Sequence, residues 1–143
     1  MIRVIGLGSP FGDDRVGWRV VELLHGRLPS EIDLVALDRP GAALINWLEG
    51  VDHLILIDAV CSGAMPGSLV RINPAQLETS GGRLSSHDLA LSETFRLASS
   101  LGCLPLRTDI YGVELGRYGD EGLGAVAEAA AAELTTVIVD AVG

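Results

Sequence analysis

The sequence predicts an α/β protein, a three-layer α/β/α sandwich built on a five-stranded, mostly parallel sheet with one antiparallel strand. Three observations carry that expectation. Apolar, β-branched runs alternate with segments of helical periodicity along the chain. The run His53–Val60 (HLILIDAV) has the composition of a central strand. The link CSGAMPG, which joins that run to SLVRI, is shorter than the dozen or so residues that a parallel crossover needs.

Each element follows from a local pattern. Ile2–Leu7 reads as a buried strand, a β-branched run bounded by glycine. Val16–Leu28 reads as a helix, with Val16, Val20, Leu23 and Leu24 on one face and Pro29 just past its end. Ile32–Leu37 is the second strand, and Ala42–Glu49 a short helix closed by Gly50. His53–Val60 is the third strand. After the short link, Ser68–Ile72 is the fourth and runs antiparallel to the third. Asp88–Leu101 is helical; Ser85 and Asp88 form a capping box that puts His87 in the first turn. Arg107–Leu115 is the fifth strand and Gly122–Val142 the closing helix, with Ala129–Ala132 as ordinary helix filler. No linker, repeat or low-complexity segment interrupts the series. The 143 residues therefore read as a single domain, 1–143.

Composition restricts the partners. Ten basic residues, all arginine, stand against nineteen acidic ones, a formal net charge of -9. No arginine cluster offers the basic face that nucleic acid requires, so nucleic acid is not an expected partner. Apolar stretches break off well before the ~20 residues needed to cross a bilayer, and the start of the chain lacks the pattern of a secretory leader. A cytoplasmic location without membrane contact is expected. In that compartment Cys61 and Cys103 are free thiols.

Open parallel sheets bind ligands beyond the carboxyl ends of their strands, at the switch in strand order. Asp13 and Asp14 follow the first strand, Asp58 ends the third, and His87 opens a helix at that rim. The glycines of GLGSPFG (Gly6, Gly8, Gly12) loosely match a dinucleotide fingerprint. Two aspartates at the helix start would repel a pyrophosphate, however, and Pro10 removes an amide from its cradle. One of the two aspartates has a simpler use as a helix cap. Asp58 is costly among apolar neighbours unless it is paired, hydrogen-bonded or metal-bound. With strands one and three adjacent, it faces the Asp13–Asp14 turn. Its plain alternative is a hydrogen bond from nearby loop amides, and that of His87 is an ordinary surface position. Ser86–His87–Asp88 is no catalytic triad, because consecutive helical residues point to different faces. Two carboxylates and an imidazole suit nickel, zinc, iron or manganese.

GSPFGDDRVG, IDAV, SSHDLALSE and YGVEL, in this order and near these spacings, resemble the NiFe-hydrogenase maturation endopeptidases over most of the chain. The resemblance implies an enzyme, a peptidase that removes the C-terminal extension of a nickel-loaded hydrogenase large-subunit precursor. It implies Asp14, Asp58 and His87 as metal contacts and catalytic residues. It also implies nickel as a cofactor that arrives with the substrate and binds the free protein weakly. Hydrolysis is metal- or carboxylate-assisted, aspartyl protease-like in the second case. The strand-end turn Asp38-Arg39-Pro40-Gly41 replaces a glycine-rich turn of the family, so Asp38, Arg39 and Gly41 are expected to contact the precursor. Ser9 stands for the family's asparagine, Arg15 for its glycine, and the first loop is one residue shorter. Two other classes compete: a nickel-recognition or chaperone module without proteolysis, and a cysteine hydrolase using Cys61 with His87 as base.

Overall fold

Residues of opposite parity on the same strands belong to two separate cores, and that decides the architecture. On the first strand Val4 joins one apolar cluster while Ile5 and Leu7 join the other. On the third, Ile55 and Ile57 face the first cluster, and Leu54 and Leu56 the second. A strand with both faces apolar must be covered on both.

The computed structural model describes residues 1–8, 15–38, 41–60, 64–73, 86–115 and 124–142, with backbone alone for 41–43 and 86–92. In chain order the elements are β1 (Ile2–Gly8), α1 (Val16–Leu24), β2 (Asp33–Asp38), a 3-10 helix (Gly41–Trp47), β3 (His53–Val60), β4 (Leu69–Ile72), α2 (Ser86–Leu101), β5 (Arg107–Glu114) and α3 (Ala125–Val142). The five strands form one sheet in the order β2-β1-β3-β5-β4. Four run parallel, and β4 pairs antiparallel with β5. The predicted fold class holds. β4 does run antiparallel to β3, but β5 lies between them and β4 forms the edge.

One face of the sheet is covered by α1 and α3, through Val16, Val20 and Leu24 and through Ala127, Ala130, Ala131, Leu134 and Ile138. The alanines let α3 lie close, and the Arg19–Glu128 ion pair at 2.8 Å ties the two helices at their starts. The other face is covered by α2 and the 3-10 helix, with Phe95, Ala98, Leu44 and Leu48 on Ile5, Leu56 and Ile110.

Several expected boundaries shift for local reasons. α1 ends at Leu24, not Leu28, because Gly26 turns into the left-handed region (φ 80°) and the Arg27 amide donates to Leu24 O. Glycine, not Pro29, stops the helix. The segment expected as a helix over Ala42–Glu49 is a 3-10 helix; so short a piece gains little from α-helical propagation. Gly50 (φ 75°) closes it as expected. Helix α3 begins at Ala125, three residues after the expected Gly122, which lies outside the described residues.

Candidate active site at the carboxyl edge of the sheet

β1 leads outward to β2 and β3 leads to the other half of the sheet, so strand order switches between β1 and β3. The crevice there is where such folds hold ligands.

Asp58 is on β3 at this point, opposite Gly112 of β5, and only 4% exposed. The strand continues to Val60, so Asp58 sits two residues inside the strand end instead of closing it. Alternation puts it on the face of Leu54 and Leu56, under α2. Its Oδ1 accepts the Ala59 N–H at 2.8 Å, an acceptor role of the kind the plain reading anticipated.

Two glycines bring α1 to this place. A Cβ on Gly17 would lie 2.2 Å from Leu7 O and 3.0 Å from Ile57 O, and one on Gly6 would lie 2.2 Å from Gly17 O. Only bare backbone lets the first turn of α1 seat on β1 and β3, against the carbonyl that precedes Asp58. Gly6 thus serves helix–strand packing, which gives that glycine of the fingerprint-like pattern a steric origin. Gly17, the last residue of GDDRVG, was not singled out from sequence, although its place one turn into a helix is a signal of close approach. Asp14, three residues before Gly17, lies outside the described residues, as does Asp13.

His87 is in the first turn of α2 by its backbone. The C-terminal end of α2 turns at Gly102 and leads to Arg107, which is paired with His53 at the amino edge of the sheet. Sixteen helical residues span about 24 Å, nearly the length of an eight-residue strand at about 26 Å. The helix start therefore returns to the carboxyl edge, on the face that carries Asp58. Asp38 is the exposed last residue of β2, paired with Gly8, and Gly41 opens the 3-10 helix. Arg39 and Cys61 lie outside the described residues. Cys103 is a free thiol beyond α2, its Sγ 3.6 Å from Ala98 O, at the opposite edge from Asp58. Among the described residues no three His, Cys, Asp or Glu side chains gather as a metal site, and Asp58 is the one predicted ligand whose side chain is described.

Glu114 went unassigned in the sequence. It is 1% exposed, ends β5 and pairs with Val60. Alternation puts it on the same face as Asp58, and its Oε1 accepts the Ala64 N–H at 3.2 Å. An acidic residue two positions past a strand glycine, in the strand beside Asp58, was the available signal.

At the amino edge the charges form a different arrangement. Asp109 takes His53 Nε2 at 2.6 Å, Arg107 Nε at 3.1 Å and Arg71 at 2.7 Å. Burial pushes its carboxyl up, but the His53 hydrogen bond and the charges of Arg107 and Arg71 outweigh that and hold it below its usual value. Arg71 also stacks 4.5 Å from the Tyr111 ring.

A family model of hydrogenase maturation proteases (HycI) matches residues 18–142. The chain belongs to that family. It is 30% identical over 150 residues to the hydrogenase expression/formation protein HupD of Rhodobacter capsulatus, covering 99% of this chain and 69% of that protein. With HupD of Bradyrhizobium diazoefficiens it shares 31% identity over 118 residues, 79% of this chain and 62% of the relative. The chain thus spans about two-thirds of the length of these maturation proteins. Among solved structures it is similar to the hydrogenase maturating endopeptidase HybD from E. coli, with TM-score 0.84, 26% identity and coverage of 98% and 90% of the two chains. The sandwich with a single antiparallel edge strand, expected of the maturation protease family, is the observed fold. No described helix of this family member is long and apolar enough to cross a membrane.

Proposed function

We propose that this chain is an endopeptidase of the cytoplasm that removes a C-terminal extension from a nickel-loaded NiFe-hydrogenase large-subunit precursor. The observation that carries this reading is Asp58, a nearly inaccessible carboxylate at the switch point, next to the carbonyl on which the first turn of α1 rests. Membership of the maturation proteases and the likeness to a hydrogenase maturating endopeptidase support the reaction class.

In this reading Asp14, Asp58 and His87 engage nickel that the precursor brings to the crevice, which is why a cation replaces the anion such a rim ordinarily holds. Water adds to the scissile carbonyl carbon, a carboxylate of the site or the nickel taking up its activation. The C–N bond then breaks and the leaving amine takes the proton. Asp38 at the end of β2, Gly41 at the start of the 3-10 helix, and Arg39, which follows Asp38 in sequence, contact the precursor. Incubating nickel-loaded and nickel-free precursor with the protein tests this by intact mass. Shortening of the loaded form alone is expected. Shortening of neither form, or of both alike, would refute it.

A further inference from the structure

Arg15 stands at the N-cap of α1, and its Nε is buried without a hydrogen-bond acceptor among the described residues. A buried N–H left without an acceptor costs free energy, and more so on a charged group. Its place on the helix adds to the imbalance. The side chain makes no capping hydrogen bond, no acidic residue lies in the first turn of α1, and the positive end of the helix opposes a cation there. With Trp18, Arg19, Glu22 and Glu128 it lines a cavity of about 320 Å³. The other polar walls of that cavity are engaged. Arg19 holds Glu22 at 3.0 Å and Glu128 at 2.8 Å, and Trp18 Nε1 donates to Leu37 O at 2.8 Å.

We propose that Arg15 is a specificity-determining residue whose guanidinium takes a carboxylate of the hydrogenase precursor, from an acidic side chain of the C-terminal extension or from the extension's own terminus. The inference rests on the endopeptidase reading above. A carboxylate supplies what the site lacks: an acceptor for Nε–H and a negative charge at the positive end of α1, matched to the planar fork of arginine. The net charge of -9 repels acidic peptide in general, so one arginine with an open donor selects where a carboxylate is accepted. Its place also fits the path of a substrate. Gly17, two residues after Arg15, rests against Leu7 O and against Ile57 O, the carbonyl before Asp58. Arg15 therefore flanks the switch point from the α1 layer, while Asp58 faces α2. The two lie on opposite faces of the sheet. A peptide reaches both by crossing the carboxyl edge, where ligands of open parallel sheets lie.

The test uses the full chain, nickel-loaded precursor and steady-state cleavage. Arg15→Met should raise KM about tenfold or more with kcat nearly unchanged, the loss of one charge-assisted hydrogen bond. Its unfolding midpoint should stay level or rise, because no buried donor then lacks an acceptor. Arg15→Lys, which keeps the charge without the fork, should fall between. On the precursor side, each acidic residue of the extension is changed to its amide, and a separate precursor is ligated to a C-terminal amide. One of these changes should raise KM for wild type as much as Arg15→Met does and add nothing in that variant. Its identity assigns the carboxylate to a side chain or to the terminus. An unchanged KM in Arg15→Met, with wild type active, would overturn this inference and leave the endopeptidase reading standing. A KM rise that no precursor change reproduces, or an unfolding midpoint lower by several degrees, would make Arg15 structural and overturn it too. A wild type that does not shorten the precursor would overturn both.

Discussion

At the amino edge of the sheet Asp109 is ringed by His53, Arg71 and Arg107, each within 3.1 Å. At the carboxyl edge Asp58 stands between Ile57 and Ala59, where strand order switches and the first turn of α1 meets the strand. Both are strand aspartates with little exposure. The first is held as an anion by cations, which is a structural use. The second lies at the switch point, where in the proposed reading it engages the substrate's nickel, which is a chemical use. Residue type and burial do not separate the two; position in the topology does.

The largest break in this comparison should come from Asp58→Asn. It is nearly isosteric, so the unfolding midpoint should move by only a few degrees, while precursor processing falls at least ~100-fold. His87→Ala should likewise lose most processing with a stability change within about half a kcal/mol, as for a surface substitution. Near-normal processing with His87→Ala would remove that residue from the site.

Gly17→Ala sharpens the account of how the crevice is built. Its methyl would meet backbone at 2.2 Å, so a loss of about 1–3 kcal/mol is expected, with reduced processing because the helix start is displaced. Gly26→Ala is its control. No atom lies within 4 Å there and only the positive φ resists, so about 1 kcal/mol of stability should go while processing stays. Equal processing by the two variants would sever α1 seating from function.

Asp109→Asn should cost about 1–3 kcal/mol, since it weakens three partnerships at once, with the cleavage rate of the folded protein unchanged. The smallest effect is its pH signature. A folded-state value held below the ordinary 3.8 contributes stability that is present above the unfolded value and lost as pH falls through the folded one. The stability gap between wild type and Asp109→Asn should therefore be level near neutrality and close only below about pH 4. A gap that closed near pH 6 would assign the contribution to another group.

The layers were legible because periodicity reports them: the parity of Leu54–Ile57 states that both faces are covered, and the brevity of CSGAMPG states that β4 reverses. That β5 would insert between β3 and β4 was not, since pairing of strands distant in sequence has no local mark. The end of α1 was misjudged because Pro29 was weighed above Gly26, whose left-handed turn acts first. Asp58 was visible as a charge in an apolar run. Glu114 was obscured by its place at the end of YGVEL, where a glutamate passes for an exposed strand terminus until the β3–β4 turn is seen folded over it.

The most direct measurement follows the intact mass of one nickel-loaded large-subunit precursor with wild type, Asp58→Asn and Asp109→Asn, all at a temperature where each variant is folded. The account predicts loss of the C-terminal extension with wild type and with Asp109→Asn at similar rates, and an unshortened precursor with Asp58→Asn. Shortening by Asp58→Asn would contradict the assignment of the crevice. An unshortened precursor with wild type, accompanied by a change in its nickel content, would make the chain a nickel-recognition module in place of a peptidase.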